Sequence, residues 1–498
     1  MRTSGAQPPS AAATTAPDRI DPALRRLTFT LIIGALAVIF DTTIMSVAID
    51  DLAGRLHASL DTVQWVSTAY LLALAATMPA VGWAQSVLGG KRLWIAALGL
   101  FLVGSLLCAA ARNAPSLIAF RVVQGVGGGI MMVLMTTLIM QAAEGRTIGR
   151  VMSLITVPTA LGPIIGPVIG GAILHLGDWR WIFLFNLPFC VVGGFLAIRN
   201  LPADAPRPGT RLDVVGMLLL SPGIAAVLYG LTRLGGSDGS AAAAGPPLAA
   251  GLALVAGYTG WALRRGRDAL IDVRLFRHRA LASSSALVFL SGAALYGTML
   301  LLPLYWQQVR GRDALGAALL LIPQGVGALA SRALAGRYMD RFGPRPVAVA
   351  AFALTCAATV PFCFATTSTS STALMAALFV RGIGLGAAMI TLMGAAFVGL
   401  GREEIPAASG ISRVAQQVGG SAGTALLAVI LQRTSAGART PADLVPGFGS
   451  AFWWAAGFTA AAVPLCLLLP GRTGRKAQVE DEGVTDEGKG RLPVADHG

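Results

Sequence analysis

Runs of about 20 apolar residues, bounded by charges, prolines or polar clusters, repeat along almost the whole chain. A helix needs about 20 such residues to cross the hydrocarbon core of a bilayer. Cutting the chain at these boundaries predicts fourteen membrane spans. The eighth follows a glycine-rich segment and the tenth is short and contains Pro323, so these two are the least regular. The approximate spans are 27–49, 62–84, 93–111, 115–140, 151–174, 181–199, 213–232, 246–263, 281–304, 314–332, 346–365, 373–398, 407–431 and 450–470.

Two segments of the first half recur in the second half in the same order. The loop GWAQSVLGGKR from Gly82 resembles GRYMDRFGPR from Gly336, and FRVVQGVGGG around Arg121 resembles FVRGIGLGAA around Arg381. This repetition indicates a duplicated unit, in which spans 1–6 correspond to spans 9–14 and spans 7 and 8 are inserted. Duplicated helical bundles are typical of secondary transporters.

The predicted fold is therefore all-α and polytopic, with two six-helix bundles. The segment from Arg264 to Arg279 is basic with interspersed apolar residues, so it is either a short interfacial helix or a plain basic linker. The predicted organisation is a cytoplasmic tail at 1–26, a first bundle at 27–199, two inserted helices with a cytoplasmic linker at 200–280, a second bundle at 281–470 and a disordered cytoplasmic tail at 471–498.

Composition and charge agree with a membrane protein. The 498 residues are 55% hydrophobic and 12% charged, whereas soluble domains carry about 25% charged residues. With the amino terminus inside, 27 of the 38 basic residues fall in inner segments, 8 in outer segments and 3 in spans. By the positive-inside rule both termini are cytoplasmic and the protein lies in the cytoplasmic membrane. The net charge of +14 is therefore explained by basic residues in the inner loops, which orient the protein in the membrane. Because these residues form no basic patch on a soluble surface, no nucleic-acid partner is expected.

One carboxylate, Asp41, lies well within an apolar run. Burying a charge in a bilayer costs several kcal/mol, so such a residue by default faces the bundle interior and marks a transport pathway. An acid in this position is a candidate proton carrier. The alternative is a polar packing contact, made together with Thr42 and Thr43 against a neighbouring helix.

Three arginines also lie within predicted spans, namely Arg121, Arg381 and Arg413. Arginine keeps its proton in proteins, so each needs a carboxylate, backbone carbonyls or water. Arg121 is the expected partner of Asp41 because both lie in the first half. For Arg381 and Arg413, a role in transport and a purely structural role between helices are equally open.

The fifth span, TVPTALGPIIGPVIGGAIL, is rich in glycine and proline. Glycines four residues apart let another helix approach closely, and prolines bend a helix. This pattern suits a helix that moves during transport, although static packing would need the same residues. The candidate conformational residues are Gly162, Pro163, Gly166, Pro167, Gly170 and Gly171. Candidate lining residues of a substrate cavity are Gln64, Tyr70, Gln124, Met131, Tyr305, Gln308, Gln324 and Gln417.

These motifs resemble the major facilitator superfamily and, within it, the fourteen-helix drug:proton antiporters of the EmrB/QacA type. FDTTIMSVAI from Phe40 is similar to that family's first-helix motif, and LGPIIGPVIGGAIL is similar to the fifth-helix signature of its exporters. The resemblance implies that Asp41 is the proton-coupling acid and Arg121 the buried arginine of the fourth helix. It also implies a cytoplasmic latch in the second half, formed by Gly336, Asp340, Arg341 and Gly343.

The chain departs from the family pattern in two places. Ser86 and Val87 replace the usual aspartate and basic residue of the first latch loop, so the latch is expected to be weak or asymmetric on that side. Spans 2, 10 and 13 carry no second acid, whereas relatives that export dications have one. Neutral, amphipathic or monocationic substrates are therefore expected rather than dications.

The resemblance implies proton-coupled efflux of hydrophobic or monocationic small molecules, of drug or antibiotic type, by alternating access. The expected partners are the substrate, protons and the lipid bilayer, with the proton motive force as energy source, no cofactor or metal, and a monomeric state. An importer or facilitator and a non-transporting scaffold or sensor are the alternatives. An enzyme is not expected, since the scattered histidines (His57, His175, His278 and His497) form no nucleophile–base or metal constellation.

Overall fold

The structure, a computed structural model, consists of long helices joined by short loops. It describes residues 21–58, 60–143, 162, 165–166, 169–175, 177–202, 211–235, 241–312, 314–435 and 438–471. Within these residues there are fifteen α-helices, labelled in chain order α1 (Pro22–Arg55), α2 (Leu60–Thr77), α3 (Val81–Leu88), α4 (Gly90–Ala109), α5 (Ala114–Ala143), α6 (Arg180–Leu184), α7 (Asn186–Asn200), α8 (Val214–Leu234), α9 (Ala241–Arg265), α10 (Arg279–Leu304), α11 (Ala314–Phe342), α12 (Pro344–Cys363), α13 (Ser371–Ala395), α14 (Ile405–Thr434) and α15 (Pro441–Cys466).

Eleven segments of the described chain are long and apolar enough to cross a membrane. They coincide with eleven of the predicted spans. Of the other three, the fifth span lies largely outside the described residues, although 169–175 are helical. The tenth is α11, whose apolar stretch Leu319–Ser331 is short, and the fourteenth is α15. The all-helical membrane fold is thus confirmed, whereas the count of fourteen spans and the domain boundaries stay predictions.

The two halves of the chain repeat the same helix packing. In the first bundle (α1–α7), α5 packs against α2 and α4, and α1 packs against α7. In the second bundle (α10–α15), α13 packs against α11 and α12, and α10 packs against α15. Gly89 and Gly343 precede α4 and α12 with φ of 79° and 86°, a left-handed conformation that favours glycine. The duplication predicted from the loops is therefore present in three dimensions.

The inserted helices α8 and α9 pack on each other, and α8 also contacts α2 and α14. The carboxylate of Asp213 caps α8 and accepts hydrogen bonds from the Trp261 ring nitrogen at 3.0 Å and the Leu270 backbone nitrogen at 3.1 Å. The Tyr258 hydroxyl and the Ile271 backbone exchange two hydrogen bonds of 2.6 and 2.7 Å. The basic segment after α9 therefore forms two short 3-10 turns held against α8 and α9, and not one continuous helix. Whether it lies at the membrane interface or is a plain basic linker stays a prediction.

The two bundles meet near the ends that the charge pattern assigns to the cytoplasm. Met78 and Leu138 of the first bundle share one apolar cluster with Phe397 and Ile411 of the second half. The Gln141 side chain donates a hydrogen bond of 3.3 Å to the carbonyl of Arg402. We call this contact between the bundles the cytoplasmic seal, after the side to which the charge pattern assigns it.

Candidate functional site

The buried acid Asp41 on α1 lies against the buried arginine Arg121 on α5. The two side chains are each 1% exposed, and Arg121 Nη1 lies 2.6 Å from Asp41 Oδ2. An isolated charge at this depth would cost several kcal/mol. Pairing with short hydrogen-bonded contacts offsets that cost only when the remaining polar atoms are also satisfied.

Two amide side chains satisfy the second oxygen of Asp41. Gln124 Nε2 and Asn186 Nδ2 each donate to Asp41 Oδ1 at 3.0 Å. Both amides also donate to the hydroxyl of Ser105, at 2.8 and 3.4 Å. Residues from α1, α4, α5 and α7 thus form one polar cluster, defined as Asp41, Ser105, Arg121, Gln124 and Asn186.

The second helix holds Arg121 in place. Arg121 Nε donates to the carbonyl of Val66 at 3.1 Å, and its guanidinium lies 4.0 Å from the centre of the Tyr70 ring. A cation over an aromatic face gains about 0.5–2 kcal/mol, more when water is excluded. The guanidinium is therefore fixed between a ring, a carbonyl and a carboxylate.

Glycines bring these helices close enough for the polar side chains to meet. A Cβ at Gly125 or Gly129 would overlap the backbone of Tyr70 or Leu74 on α2. A Cβ at Gly104 would lie 2.7 Å from the Cα of Gln124. The glycine-rich run after Arg121 therefore serves helix contact, as small residues do in membrane bundles.

The fifth span packs on α1 beside Asp41. A Cβ at Gly162 would overlap Ile39, one at Gly166 would overlap Thr43, and one at Gly170 would lie 3.1 Å from Ile44. A Cβ at Gly171 meets nothing within 4 Å in the described structure, and Pro163 and Pro167 lie outside the described residues. The glycine spacing thus produces close contact with the helix that carries the acid.

Two members of the polar cluster were not assigned from the sequence. Asn186 lies in the apolar segment from Trp179 to Pro188 and had no predicted role, and Ser105 is one of many hydroxyls in apolar helices. An isolated amide in an apolar run is a usable signal, because burying it without a hydrogen bond is unfavourable. Gln124 was expected to line a cavity, and the structure makes it a direct partner of Asp41.

The other candidate cavity residues lie in several environments. Met131 is buried in apolar packing, and the buried Tyr305 donates its hydroxyl to the carbonyl of Thr366 at 2.9 Å. Gln64 and Gln308 are exposed and Gln417 is half-buried. A role of these five in substrate binding stays a prediction.

Arg381 on α13 occupies the equivalent place in the second bundle, with neutral partners. Its Nη2 donates to the Thr298 hydroxyl at 2.5 Å and to the Ala294 carbonyl at 3.1 Å. Its Nη1 and Nε donate to Gln324 at 2.8 Å and to Thr359 at 3.2 Å. No carboxylate of the described chain forms an ion pair with it. Gln324, expected in a cavity, is instead a partner of this arginine.

Arg413 on α14 lies between the two bundles. Its Nη2 donates to Thr136 on α5 at 3.4 Å and its Nη1 to Gln416 at 3.3 Å. It is 8% exposed. It is therefore the buried arginine that directly bridges the halves.

The predicted latch residues lie in the last turns of α11, with Gly343 directly after the helix. Gly336 is buried, Gly343 has the positive φ described above, and the Arg341 guanidinium lies 5.1 Å from the centre of the Phe342 ring. The side chain of Asp340 lies outside the described residues. In the first copy, Ser86 donates its hydroxyl to the Trp83 carbonyl at 2.7 Å within its own helix, so the two loops differ chemically.

Comparison with known proteins gives a consistent family match. A sequence profile described as Major Facilitator Superfamily matches residues 31–424. The chain is 37% identical over 425 residues to "Multidrug resistance protein B homolog" of Mycobacterium tuberculosis strain H37Rv, covering 83% of this chain and 77% of that one. It is 33% identical over 313 residues to "Putative multidrug resistance protein MdtD" of Serratia proteamaculans, covering 62% and 65%.

Solved structures show the same fold at low sequence identity. The crystal structure of the human organic anion transporter MFSD10 superposes with a TM-score of 0.63 at 15% identity, covering 90% of this chain and 100% of that one. The proton:xylose symporter XylE superposes with a TM-score of 0.60 at 15% identity, covering 89% and 96%. These two likenesses concern the fold alone.

Proposed function

The chain belongs to the major facilitator superfamily, and from that premise we propose that it exports hydrophobic small molecules across the cytoplasmic membrane in exchange for protons. The family and the eleven candidate spans make it a multi-pass membrane transporter. The names of its relatives from Mycobacterium and Serratia, which refer to multidrug resistance, support an export function. Antibiotic-type compounds, a monomeric state, cytoplasmic termini and the proton motive force as sole energy source are parts of the same proposal.

The polar cluster around Asp41 is the observation on which proton coupling depends. Asp41 can exchange a proton, whereas Arg121 at 2.6 Å keeps its charge. Protonation would remove the negative charge that Arg121, Gln124 and Asn186 hold in place. Because these partners come from α5 and α7, a change in the charge of Asp41 changes how three helices of the first bundle are held together.

Alternating access then follows from the contacts between bundles. In this structure the cytoplasmic seal is closed, with Met78 and Ile411 in one apolar cluster. We infer that a proton enters the cluster from the outer side, and that its release toward the cytoplasm accompanies substrate uptake when the seal opens. The closely packed glycines of the fifth span lie against α1 next to Asp41, so movement of that helix would be transmitted to the acid directly.

The test measures proton release from inside-out vesicles whose interior has been acidified by respiration. A panel of hydrophobic dyes and antibiotics is added, and the internal pH is followed by a fluorescent amine. We expect substrate-evoked proton release in the wild type and its loss in Asp41→Asn. Asp213→Asn is the matched control, because Asp213 is also a buried acid, at 3% exposure, but lies outside the polar cluster.

Equal proton release from wild type and Asp41→Asn would contradict coupling through this acid. Accumulation of a labelled compound inside intact cells would instead favour an importer or facilitator. Absence of any response in the wild type, with a protein partner captured from the membrane, would favour the scaffold or sensor. Monodisperse elution of each purified variant checks that it is folded.

A further inference from the structure

Arg413 has the weakest set of partners among the three buried arginines. Its two hydrogen bonds measure 3.3 and 3.4 Å, at or beyond the upper end of the usual range for N–H···O contacts. Its Nε is buried without a hydrogen-bond partner among the described residues. By contrast, Arg381 donates from all three of its nitrogens, at distances of 2.5–3.2 Å. Arg121 donates from Nε and Nη1 at 2.6–3.1 Å, and one of its acceptors is a carboxylate.

The positive charge of Arg413 also has no counter-ion among the described residues. The ion pairs of the described chain do not include it, and the titratable side chain that faces it is Tyr296. A buried charged donor without an acceptor is costly to maintain. The helices here carry further buried hydroxyls without partners in the described structure, Ser285 on α10 and Ser409 and Ser412 on α14. The region has more hydrogen-bonding capacity than the protein itself uses.

Arg413 lies where a compound entering from the cytoplasm would meet it. It is eight residues from the start of α14, which corresponds to about 12 Å along the helix. Its Nη2 contact is with Thr136 of the other bundle. Opening the cytoplasmic seal separates α14 from α5 and therefore breaks this contact. In the cytoplasm-open state Nη2 loses its acceptor, and Nε still lacks one.

The surrounding side chains suit a compound that is apolar apart from one acceptor group. Gln416, which accepts from Arg413, donates to the sulfur of Met389 at 3.9 Å. The Tyr296 ring packs against α14 at Gly420. Thioether and aromatic groups provide an apolar, adaptable wall beside the guanidinium.

We propose that Arg413 binds a hydrogen-bond acceptor of the substrate, above all a carboxylate, and that Thr136 takes the place of this group when the cytoplasmic side closes. The inference rests on the proposed function and narrows its substrate class to hydrophobic acids and neutral compounds with a strong acceptor. A monocationic substrate is disfavoured, because the membrane-embedded carboxylate of Asp41 is already paired with Arg121 whereas the charge of Arg413 has no counter-ion in the described part of the chain.

The test is equilibrium binding to the full-length protein in lipid nanodiscs. Three fluorescent probes share a dansyl group and one alkyl chain, and end in a carboxylate, a carboxamide or a trimethylammonium group. At neutral pH the wild type should bind the carboxylate about tenfold or more tighter than the trimethylammonium probe, since hydrogen bonds to charged groups contribute about 10- to 100-fold. Arg413→Gln should remove this preference and leave the ammonium probe within about twofold. Arg433→Gln, at an exposed arginine near the other end of α14, should change neither the carboxylate preference nor the binding of the ammonium probe.

Thr136→Val provides an independent variant. It removes the group that competes for Arg413 and should tighten carboxylate binding by a few fold, at most about tenfold. If Arg413→Gln does not fold, carboxylate binding by Thr136→Val tests the role of Arg413 instead.

Wild-type protein that binds none of the probes, or that binds all three equally, overturns the inference. So does a carboxylate preference that survives in Arg413→Gln or, where that variant does not fold, carboxylate binding that is unchanged in Thr136→Val. The proton-release assay distinguishes failure of this inference from failure of the proposed function. Proton release that depends on Asp41 but shows no preference for acids refutes only the role of Arg413, whereas loss of Asp41 dependence refutes the proposed function itself.

Discussion

The two bundles place an arginine at equivalent positions and neutralise it in different ways. Arg121 and Arg381 are 260 residues apart, and each lies on the central helix of its bundle. In the first bundle the partner on the first helix is Asp41, at 2.6 Å. In the second bundle the partner on the corresponding helix is Thr298, at 2.5 Å. A carboxylate has thus been exchanged for a hydroxyl at the same structural position.

Two further pairs of positions near the arginines correspond in the two bundles. Tyr70 and Gln324 are 254 residues apart and both adjoin the arginine, and Ser105 and Thr359 have the same separation. Thr298 donates its own proton to the Ala294 carbonyl at 2.5 Å, which leaves its oxygen free to accept from Arg381. Hydroxyls of this kind satisfy the donors of an arginine without neutralising its charge.

This difference assigns distinct capacities to the two bundles. Under the proposed function, protonation of the acid in the first bundle removes its charge and with it the attraction to Arg121. Among the described residues, the arrangement in the second bundle joins Arg381 to hydroxyl, amide and carbonyl groups and to no carboxylate. Under the proposed function, the first bundle handles protons and the second provides a fixed frame.

The largest expected effect comes from replacing the two arginines by methionine. Arg121→Met leaves Asp41 buried without its cation, and breaking a buried pair from one side costs about 3–5 kcal/mol. Arg381→Met removes a buried charge that has no counter-ion in the described chain, so we expect a cost of about 2 kcal/mol or less. Reversible unfolding in mixed micelles with a denaturing detergent measures both values.

The double variant Asp41→Asn with Arg121→Met is the control for this comparison. It should recover most of the stability lost in Arg121→Met, because no uncompensated charge remains, but it should not release protons in response to substrate. Equal losses of stability in Arg121→Met and Arg381→Met would show that the ionic and the neutral arrangements are energetically alike. The two bundles would then not differ in how they stabilise their buried arginines.

The sequence was sufficient to identify the charged residues around which the polar contacts of each bundle form. Asp41 and Arg121 stand out because a charge within an apolar run is expensive and must have a partner. The span lengths and the repeated loops predicted the fold for a similar reason, since bilayer thickness restricts helix length. Both inferences depend on energetic costs, of burying a charge and of spanning the bilayer, that can be recognised in the amino-acid sequence alone.

The neutral members could not be identified in this way. Gln64 and Gln124 are the same residue type within predicted spans, yet one is exposed and the other binds Asp41. Which of them faces the acid depends on how each helix is rotated about its axis, and the nearly uniform apolar surface of a membrane helix gives little sign of that rotation. Thr298 was missed because threonine in an apolar helix often bonds only its own backbone.

An intermediate effect is expected at Gln324, which accepts from Arg381 Nη1 at 2.8 Å. Gln324→Leu preserves most of the side-chain volume but leaves a charged donor without this acceptor, so we expect a loss of about 1.5–3 kcal/mol. Gln64→Leu is the matched control, because its amide is exposed, and it should change stability by about 0.5 kcal/mol or less. The same unfolding assay applies. A neutral result for Gln324→Leu would mean that water replaces the amide, and that Arg381 is less enclosed than its 1% exposure indicates.

The smallest effect is expected at the equivalent position in the first bundle. The Tyr70 hydroxyl has no hydrogen-bond partner among the described residues, and the ring itself contacts Arg121 at 4.0 Å. Tyr70→Phe keeps the ring, so stability should change by about 0.5 kcal/mol or less and proton release should persist. Tyr70→Leu removes the aromatic face and should cost more, about 2 kcal/mol. If Tyr70→Phe abolished proton release while leaving stability intact, the hydroxyl would have to act on the proton itself. The first bundle would then differ from the second by two functional groups rather than by the carboxylate alone.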